Sequence, residues 1–191
     1  MKNIALFASG NGSNVQRIAE YFAGSQTVNI LLIVCNKSNA YVLERAKNLG
    51  INALLIDKKM FYETDFVVKT LQNLHVDLIV LAGFLWLIPE NLIEAFPEKI
   101  VNIHPALLPK YGGKGMYGMH VHEAVIANKE LYSGITIHYV NSNYDEGDII
   151  LQKKCKLSTD DTPEIVAQKV HELEYFHYPL TIEKLLENKA E

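Results

Sequence analysis

Lys2-Asn3-Ile4-Ala5-Leu6-Phe7-Ala8-Ser9-Gly10-Asn11-Gly12-Ser13-Asn14 opens the chain with an apolar run that turns at once into a glycine-bearing loop. Such a run reads as a buried strand, and the amphipathic stretch Val15 to Phe22 behind the loop reads as a helix. Strand, loop and helix together are the first half of a βαβ unit. Gly10 and Gly12 permit close backbone approach and positive φ. Ser13 or Asn14 can cap the helix, and the free N–H groups of its first turn favour an anion such as phosphate. A tight βα turn with no ligand satisfies the same residues. The loop has no Gly-Lys-Ser/Thr, so it is not a P-loop, and Arg17 and its neighbours supply no third glycine for G-x-G-x-x-G.

The rhythm set there continues. Val28 to Cys35 reads as a strand, Tyr41 to Leu49 as a helix ended by Gly50, and Asn52 to Ile56 as a short strand. Glu63 to Leu74 reads as a helix, Val76 to Ala82 as a continuous apolar strand, Pro89 to Phe96 as a short helix and Lys99 to Ile103 as another strand. Crossovers of this kind build a parallel sheet, connected right-handedly, with helices on both faces. Tyr132 to Val140 and Asp148 to Lys156 then make an antiparallel edge hairpin. Asp160-Asp161-Thr162-Pro163-Glu164 caps a final helix from Glu164 through Tyr175, which Pro179 kinks or restarts before Leu186. The fold class expected is α/β: a Rossmann-like, open, mostly parallel sheet with helices on both faces and an antiparallel edge near the C-terminus, forming a single domain over 1–191.

Composition narrows the function. With 49% apolar residues in 191, the chain can bury a core without staples. Cys35 and Cys155 lack CxxC spacing and read as inert thiols, which suits a reducing, cytoplasmic location. The apolar Ile4 to Ala8 is too short for a signal-peptide core, and no run approaches a membrane span. A net charge of −4 without a long Lys/Arg cluster argues against nucleic acid or an anionic membrane as partner, so an anionic ligand must be bound locally.

Chemistry concentrates in Val101-Asn102-Ile103-His104-Pro105-Ala106-Leu107-Leu108-Pro109. The prolines forbid the strand's continuing, so Asn102 and His104 lie at its carboxyl end, and side chains two apart on a strand share a face. In an open α/β sheet that end borders the usual binding crevice. Asn141 to Asp148 brings the acids Asp145, Glu146 and Asp148, one of which can hold the imidazole or raise its pKa. Asn, His and Asp together suit acyl transfer, whereas a lone Asn or His at a strand end also serves simply to cap a turn. Phe84 to Ile88 either packs the core or walls a flat ring. His120, His122 and His138 invite a metal reading, but no carboxylate or cysteine completes a known arrangement, and capping and polar lining account for them.

Asn102-Ile103-His104-Pro105 followed by Leu107-Leu108-Pro109, with Asp145 beyond, resembles the signature of the folate-dependent formyltransferase family, and the similarity spans nearly the whole chain. The resemblance implies transfer of the formyl group of 10-formyltetrahydrofolate to the amine of glycinamide ribonucleotide in de novo purine synthesis. It also implies Asn102, His104 and Asp145 as catalytic residues and no metal. Gly12, Ser13 and Asn14 correspond to contacts with the ribonucleotide phosphate, and Glu174 to one at the substrate's amine end. Leu85, Trp86, Leu87, Ile88, Asn102, Asn141 and Tyr144 correspond to the folate site. The implied partners are small molecules, not nucleic acid or membrane, and the implied state is a monomer or homodimer. Three departures stand out. Many members carry arginine where Trp86 stands, and only Lys58 and Lys59 lie where a second basic contact belongs. Glu146-Gly147 replaces a frequent Gly-Gly, and Lys114 to Met119 looks like a small insertion able to cover the ribose and amine.

Overall fold

From Ile4 to Ala8, β1 (Lys2–Ala8) is wholly inaccessible to solvent, which places this strand inside the sheet. The computed structural model describes residues 1–187, and residues 188–191 of the expected unit lie outside the described residues. After β1 come α1 (Ser13–Tyr21), β2 (Val28–Cys35), α2 (Val42–Leu49), β3 (Asn52–Leu55), α3 (Lys58–Tyr62) and α4 (Phe66–Asn73). Then follow β4 (Leu78–Leu81), α5 (Glu90–Ala95), β5 (Ile100–His104), α6 (Met119–Ala127), β6 (Tyr132–Tyr139), β7 (Ile149–Lys156) and α7 (Pro163–Glu187).

The seven strands form one sheet in the order β3-β2-β1-β4-β5-β6-β7. β1 to β5 run parallel, while β6 is antiparallel to both β5 and β7, as the alternating pattern of the last two strands leads one to expect. The order leaves β1 in one direction towards β3 and in the other towards β7, so the switch point falls between β1 and β4. A crevice opens there beyond the strands' carboxyl ends.

Alternation along the strands fills two cores. Ile4, Leu6, Ile33, Val80 and Val101 pack with Val15 and Ile18 of α1, Val42 of α2, Val125 of α6 and Val166 and Val170 of α7. Ala5, Phe7, Ile79 and Ile100 face the other way, onto Phe61 of α3, Val67 and Leu71 of α4 and Leu92 of α5. Each such side chain contributes on the order of 1.5–3 kcal/mol by leaving water.

Four local expectations are corrected. Pro179 does not interrupt α7, which is continuous from Pro163 to Glu187. The neighbouring Tyr178, Ile182 and Leu186 are buried in the core and hold the helix through the missing N–H. The helix expected over Glu63 to Leu74 begins only at Phe66, as α4, and a short helix that was not expected, α3, precedes it. Asp57 Oδ1 accepts the Met60 N–H at 2.7 Å and starts α3. His120 and His122, read as capping or polar lining, lie inside α6, whose N-cap is Gly118 with no side-chain cap. Neither Ser13 nor Asn14 caps α1. Gly12 does so in a left-handed conformation at φ 75°, with no side-chain cap.

Candidate active site

Asn102 and His104 project from the same face of β5, and the antiparallel ladder sets His138 of β6 opposite Asn102 and Thr136 opposite His104. The intervening Val101, Ile103, Ile135 and Ile137 enter the core, so a slip of one residue would bury polar groups in place of aliphatic ones. Thr136 fixes the turn behind β5. Its hydroxyl donates to the Ala106 carbonyl at 2.7 Å and accepts the Leu108 N–H at 3.0 Å, while Gln152 of β7 donates to both Leu108 O and Thr136 Oγ1 at 2.9 Å. From below, the buried Tyr178 hydroxyl donates to Leu81 O at 2.8 Å and lies 3.3 Å from Val101 O, bridging β4 and β5.

Asp145 reaches the pair from the loop between β6 and β7, on a backbone at φ 58° that aspartate tolerates better than most residues. Its Oδ2 lies 3.4 Å from His104 Nδ1 and accepts the Gly113 N–H at 2.9 Å. Its Oδ1 lies 3.5 Å from Asn102 Nδ2 and 3.7 Å from His138 Nε2. Hydrogen positions follow from the partners. His104 Nε2 is 2.7 Å from the Tyr111 carbonyl and His138 Nδ1 is 2.8 Å from the Tyr139 carbonyl, so both of these nitrogens carry hydrogen. His138 Nε2 is then an acceptor for Asn102 Nδ2, 3.1 Å away.

Burial pushes the His104 imidazole below its ordinary pKa, outweighing the opposite pull of Asp145 and the Tyr111 carbonyl. The expected raising of that pKa by a neighbouring acid is therefore present as an attraction but overridden by desolvation. Burial also pushes the Asp145 carboxyl up, but the attraction of His104 and the Gly113 N–H help to hold it below the usual carboxylate value. His122, buried with Nδ1 unpartnered, is lowered to about 4 by desolvation and then by His171 and His104. Among the described residues, no three His, Cys, Asp or Glu side chains gather to hold a metal.

The glycine loop approaches from β1. A Cβ on Gly12 would stand 2.5 Å from Val42 Cγ2, so only glycine lets the loop close onto α2. Asn14 Nδ2 donates to Glu174 Oε2 at 3.0 Å, and burial lifts the Glu174 carboxyl to about 7. After β4, the Leu85 N–H donates to Ser9 Oγ at 2.9 Å, tying Phe84 to Ile88 to the same loop.

All these elements line one cleft of about 700 Å³. Gly12, Ser13, Asn14 and Glu174 lie in it with Asn102, His104 and Asp145, and so do Leu85, Trp86, Leu87, Ile88 and Tyr144. Asn141 does not line it; its Oδ1 accepts the Asn143 N–H at 3.0 Å and shapes the loop before Asp145. Glu174 adjoins the glycine loop through Asn14. Sequence reasoning missed the role of His138, which it weighed as a metal ligand and set down to capping or polar lining, although Thr136 and His138 repeat on β6 the two-residue spacing of Asn102 and His104. It also missed Lys37, His171 and the Gly113 N–H, for which no spacing signal existed. Lys114 to Gly118, within the apparent insertion, lines the cleft too.

Known proteins share this fold and sequence pattern. The family model for formyl transferase matches residues 2–182. The chain is 41% identical to phosphoribosylglycinamide formyltransferase, chloroplastic, of Arabidopsis thaliana, a match covering 98% of this chain but 66% of that protein. It therefore spans just under two thirds of that relative's length. The Bacillus subtilis phosphoribosylglycinamide formyltransferase is 37% identical over 97% of this chain and 95% of its own. The crystal structure of phosphoribosylglycinamide formyltransferase from Bacillus halodurans superposes with a TM-score of 0.87 at 35% identity, covering 100% of this chain and 97% of that one.

Proposed function

The chain belongs to the formyl transferase family, and from that membership we propose that it carries the formyl group of 10-formyltetrahydrofolate to the amine of glycinamide ribonucleotide. The products are formylglycinamide ribonucleotide and tetrahydrofolate, as in de novo purine (IMP) biosynthesis. The observation that carries this reading is the joining of the Asn102, His104 and Asp145 cluster to a glycine loop at a helix N-terminus within one cleft. A phosphorylated amine and a flat formyl donor can meet there.

In this reading the first-turn N–H groups after Gly12, with Ser13 and Asn14, take the phosphate, and Glu174 faces the ribonucleotide. The donor's pterin lies along Leu85 to Ile88, with Asn102 and Tyr144 beside it; Asn141 acts through the loop it shapes. The amine nitrogen attacks the formyl carbon, the C–N10 bond breaks, the amine gives up a proton and N10 gains one. Asn102 Nδ2 has one N–H on His138 and a second only 3.5 Å from Asp145, at the limit of a hydrogen bond, so the second is available to the developing oxyanion. His104 is held neutral by burial until negative charge grows on the formyl oxygen, which adds to the attraction of Asp145 and favours the imidazolium. The proton that makes the imidazolium is the amine's, handed on by Asp145 to His104 Nδ1, 3.4 Å away, and it goes from there to N10, so that both side chains end as they began. Asp145, kept ionised, balances the imidazolium and takes the amine's proton through an ordered water.

Among the described residues no helix is long and apolar enough to cross a membrane. We place the enzyme in the cytoplasm as one catalytic unit of 1–191, a monomer or homodimer acting on small molecules. The test is to mix purified protein with glycinamide ribonucleotide and 10-formyltetrahydrofolate and to follow deformylated folate by absorbance. Release that depends on the ribonucleotide is expected. Release without it would make the protein a hydrolase, and none at all would overturn the reading.

A further inference from the structure

We propose that Lys37 is the counter-cation of the acceptor's phosphate: its ammonium pairs with the phosphate seated at the first turn of α1, and its charge, rather than the glycine loop alone, sets how tightly the phosphorylated acceptor binds. The inference rests on the ribonucleotide reading above and adds a residue to it. β1 and β2 run parallel with Ala8 beside Cys35, so the two chains leave the sheet side by side. One continues into Ser9 and the glycine loop, the other into Asn36 and Lys37, and Lys37 lines the cleft together with Ser9 to Asn14. Further on, the Val42 N–H donates to the Gly10 carbonyl at 3.1 Å, which ties the start of α2 to the same loop.

The backbone that presents Lys37 is fixed. Its N–H donates to Cys35 Sγ at 3.5 Å, and its carbonyl accepts from that thiol and from the Ala40 N–H, each at 3.2 Å. Cys35 is wholly buried, so the turn is anchored in the core while Lys37 itself is exposed. Among the described residues its ammonium has no hydrogen bond, ion pair or ring contact. A compact charge on a flexible stem is thus left unengaged beside an anion seat.

A phosphate monoester held only by backbone N–H groups keeps nearly two negative charges at neutral pH, and the other bases at hand are committed. The chain has only two arginines, Arg17 and Arg45. Arg45 donates to the Asn11 carbonyl and to Asn11 Oδ1, each at 2.8 Å, whereas Arg17 pairs with Glu20 at 2.9 Å and lies 5.2 Å from the centre of the Tyr175 ring. His122 and His171 line the cleft, but burial lowers both imidazoles and favours their neutral forms. Lys114, the other lysine of the cleft, follows Gly113, whose N–H is on Asp145, so it belongs to the formyl end. Glu174, tied to Asn14 at 3.0 Å, repels a phosphate whenever it ionises, which makes a positive charge at the loop more necessary.

The test compares, by calorimetry, the Kd of glycinamide ribonucleotide with that of its dephosphorylated riboside in the wild type, Lys37→Gln and Lys37→Arg, alongside the ribonucleotide KM in the transfer assay. Lys37→Gln should weaken the ribonucleotide by about 10–100-fold, in Kd and KM alike, and the riboside by less than about twofold. Lys37→Arg keeps the charge and should stay within about fivefold of the wild type. Added salt should weaken ribonucleotide binding more steeply in the wild type than in Lys37→Gln. Wild-type affinity for the ribonucleotide in Lys37→Gln would overturn the proposal. So would equal losses for ribonucleotide and riboside, or equal losses in the Gln and Arg variants, either of which would make Lys37 a structural part of its turn. Lys37-dependent binding of the ribonucleotide without any formyl transfer would overturn the transferase reading alone.

Discussion

Asn102 and His138 face each other directly across the β5–β6 ladder, and their side chains meet at 3.1 Å. The Tyr139 carbonyl at 2.8 Å fixes the tautomer of His138, so its Nε2 presents a lone pair that holds the Asn102 carboxamide in one orientation. His138 is a positioning residue. His138→Phe should lower kcat by about 10–100-fold with a smaller change in either KM, and His138→Gln, whose amide oxygen can accept, should recover part of the loss. Equal losses in both variants would mean that the imidazole itself takes part in the chemistry.

Asp145 lies 3.4 Å from His104 Nδ1 and stands at the end of a left-handed turn. Asp145→Asn keeps the shape and removes the charge. Turnover should fall by about 10²–10⁴-fold while ribonucleotide binding, read by calorimetry, changes little. The His104 imidazole, already depressed by burial, should titrate at still lower pH in the variant, because the carboxylate's upward pull is gone. An unmoved His104 titration by NMR would show that the two groups are not electrostatically coupled.

The large elements were legible because their periods are clean. Buried runs such as Ile4 to Ala8, and the two-residue spacing of Asn102 and His104, fix strand and face without reference to the rest of the chain. What was not legible depends on partners distant in sequence. Pro179 looks like a break until the burial of Tyr178 and Ile182 is known. α3 is a single turn whose cap is an ordinary aspartate, Asp57, and His138 matters only because the β6 register sets it against Asn102. The direction of the His104 shift was missed for a similar reason: a neighbouring acid can be read from motifs, but the depth of desolvation cannot.

Glu174 is a buried carboxyl with Asn14 as its hydrogen-bond partner, lifted to about 7 by desolvation from an ordinary 4.5. A folded-state value above the unfolded one means that stability is fully present below about 4.5 and is lost as pH rises through about 7, because the unfolded chain releases its proton first. The loss above pH 7 is on the order of 3 kcal/mol. Glu174→Gln keeps an acceptor for Asn14 without the charge. Its melting temperature should exceed that of the wild type at about pH 8 and converge with it at about pH 4, checked by calorimetry across that range. A difference independent of pH would show that Glu174 stays ionised in its pocket, and the burial argument would fail.

Tyr178 connects stability to the site without touching a ligand. Its hydroxyl has one hydrogen, donated to Leu81 O at 2.8 Å, with Val101 O 3.3 Å away, and the ring is fully buried between α7 and the sheet. Leu81 precedes the wall that holds Leu85 to Ile88, and Val101 precedes Asn102, so one hydroxyl sets the separation of the two strand ends flanking the crevice. Tyr178→Phe preserves the ring and leaves a buried carbonyl without its partner. The expected cost is about 1–3 kcal/mol, seen as a melting temperature lower by roughly 2–4 °C for each kcal/mol. If the strand separation matters to chemistry, kcat should fall beyond what the folded fraction accounts for. Measured well below the melting temperature, a normal kcat with a lowered melting point would confine Tyr178 to stability, and a lowered kcat would make it a second positioning residue beside His138.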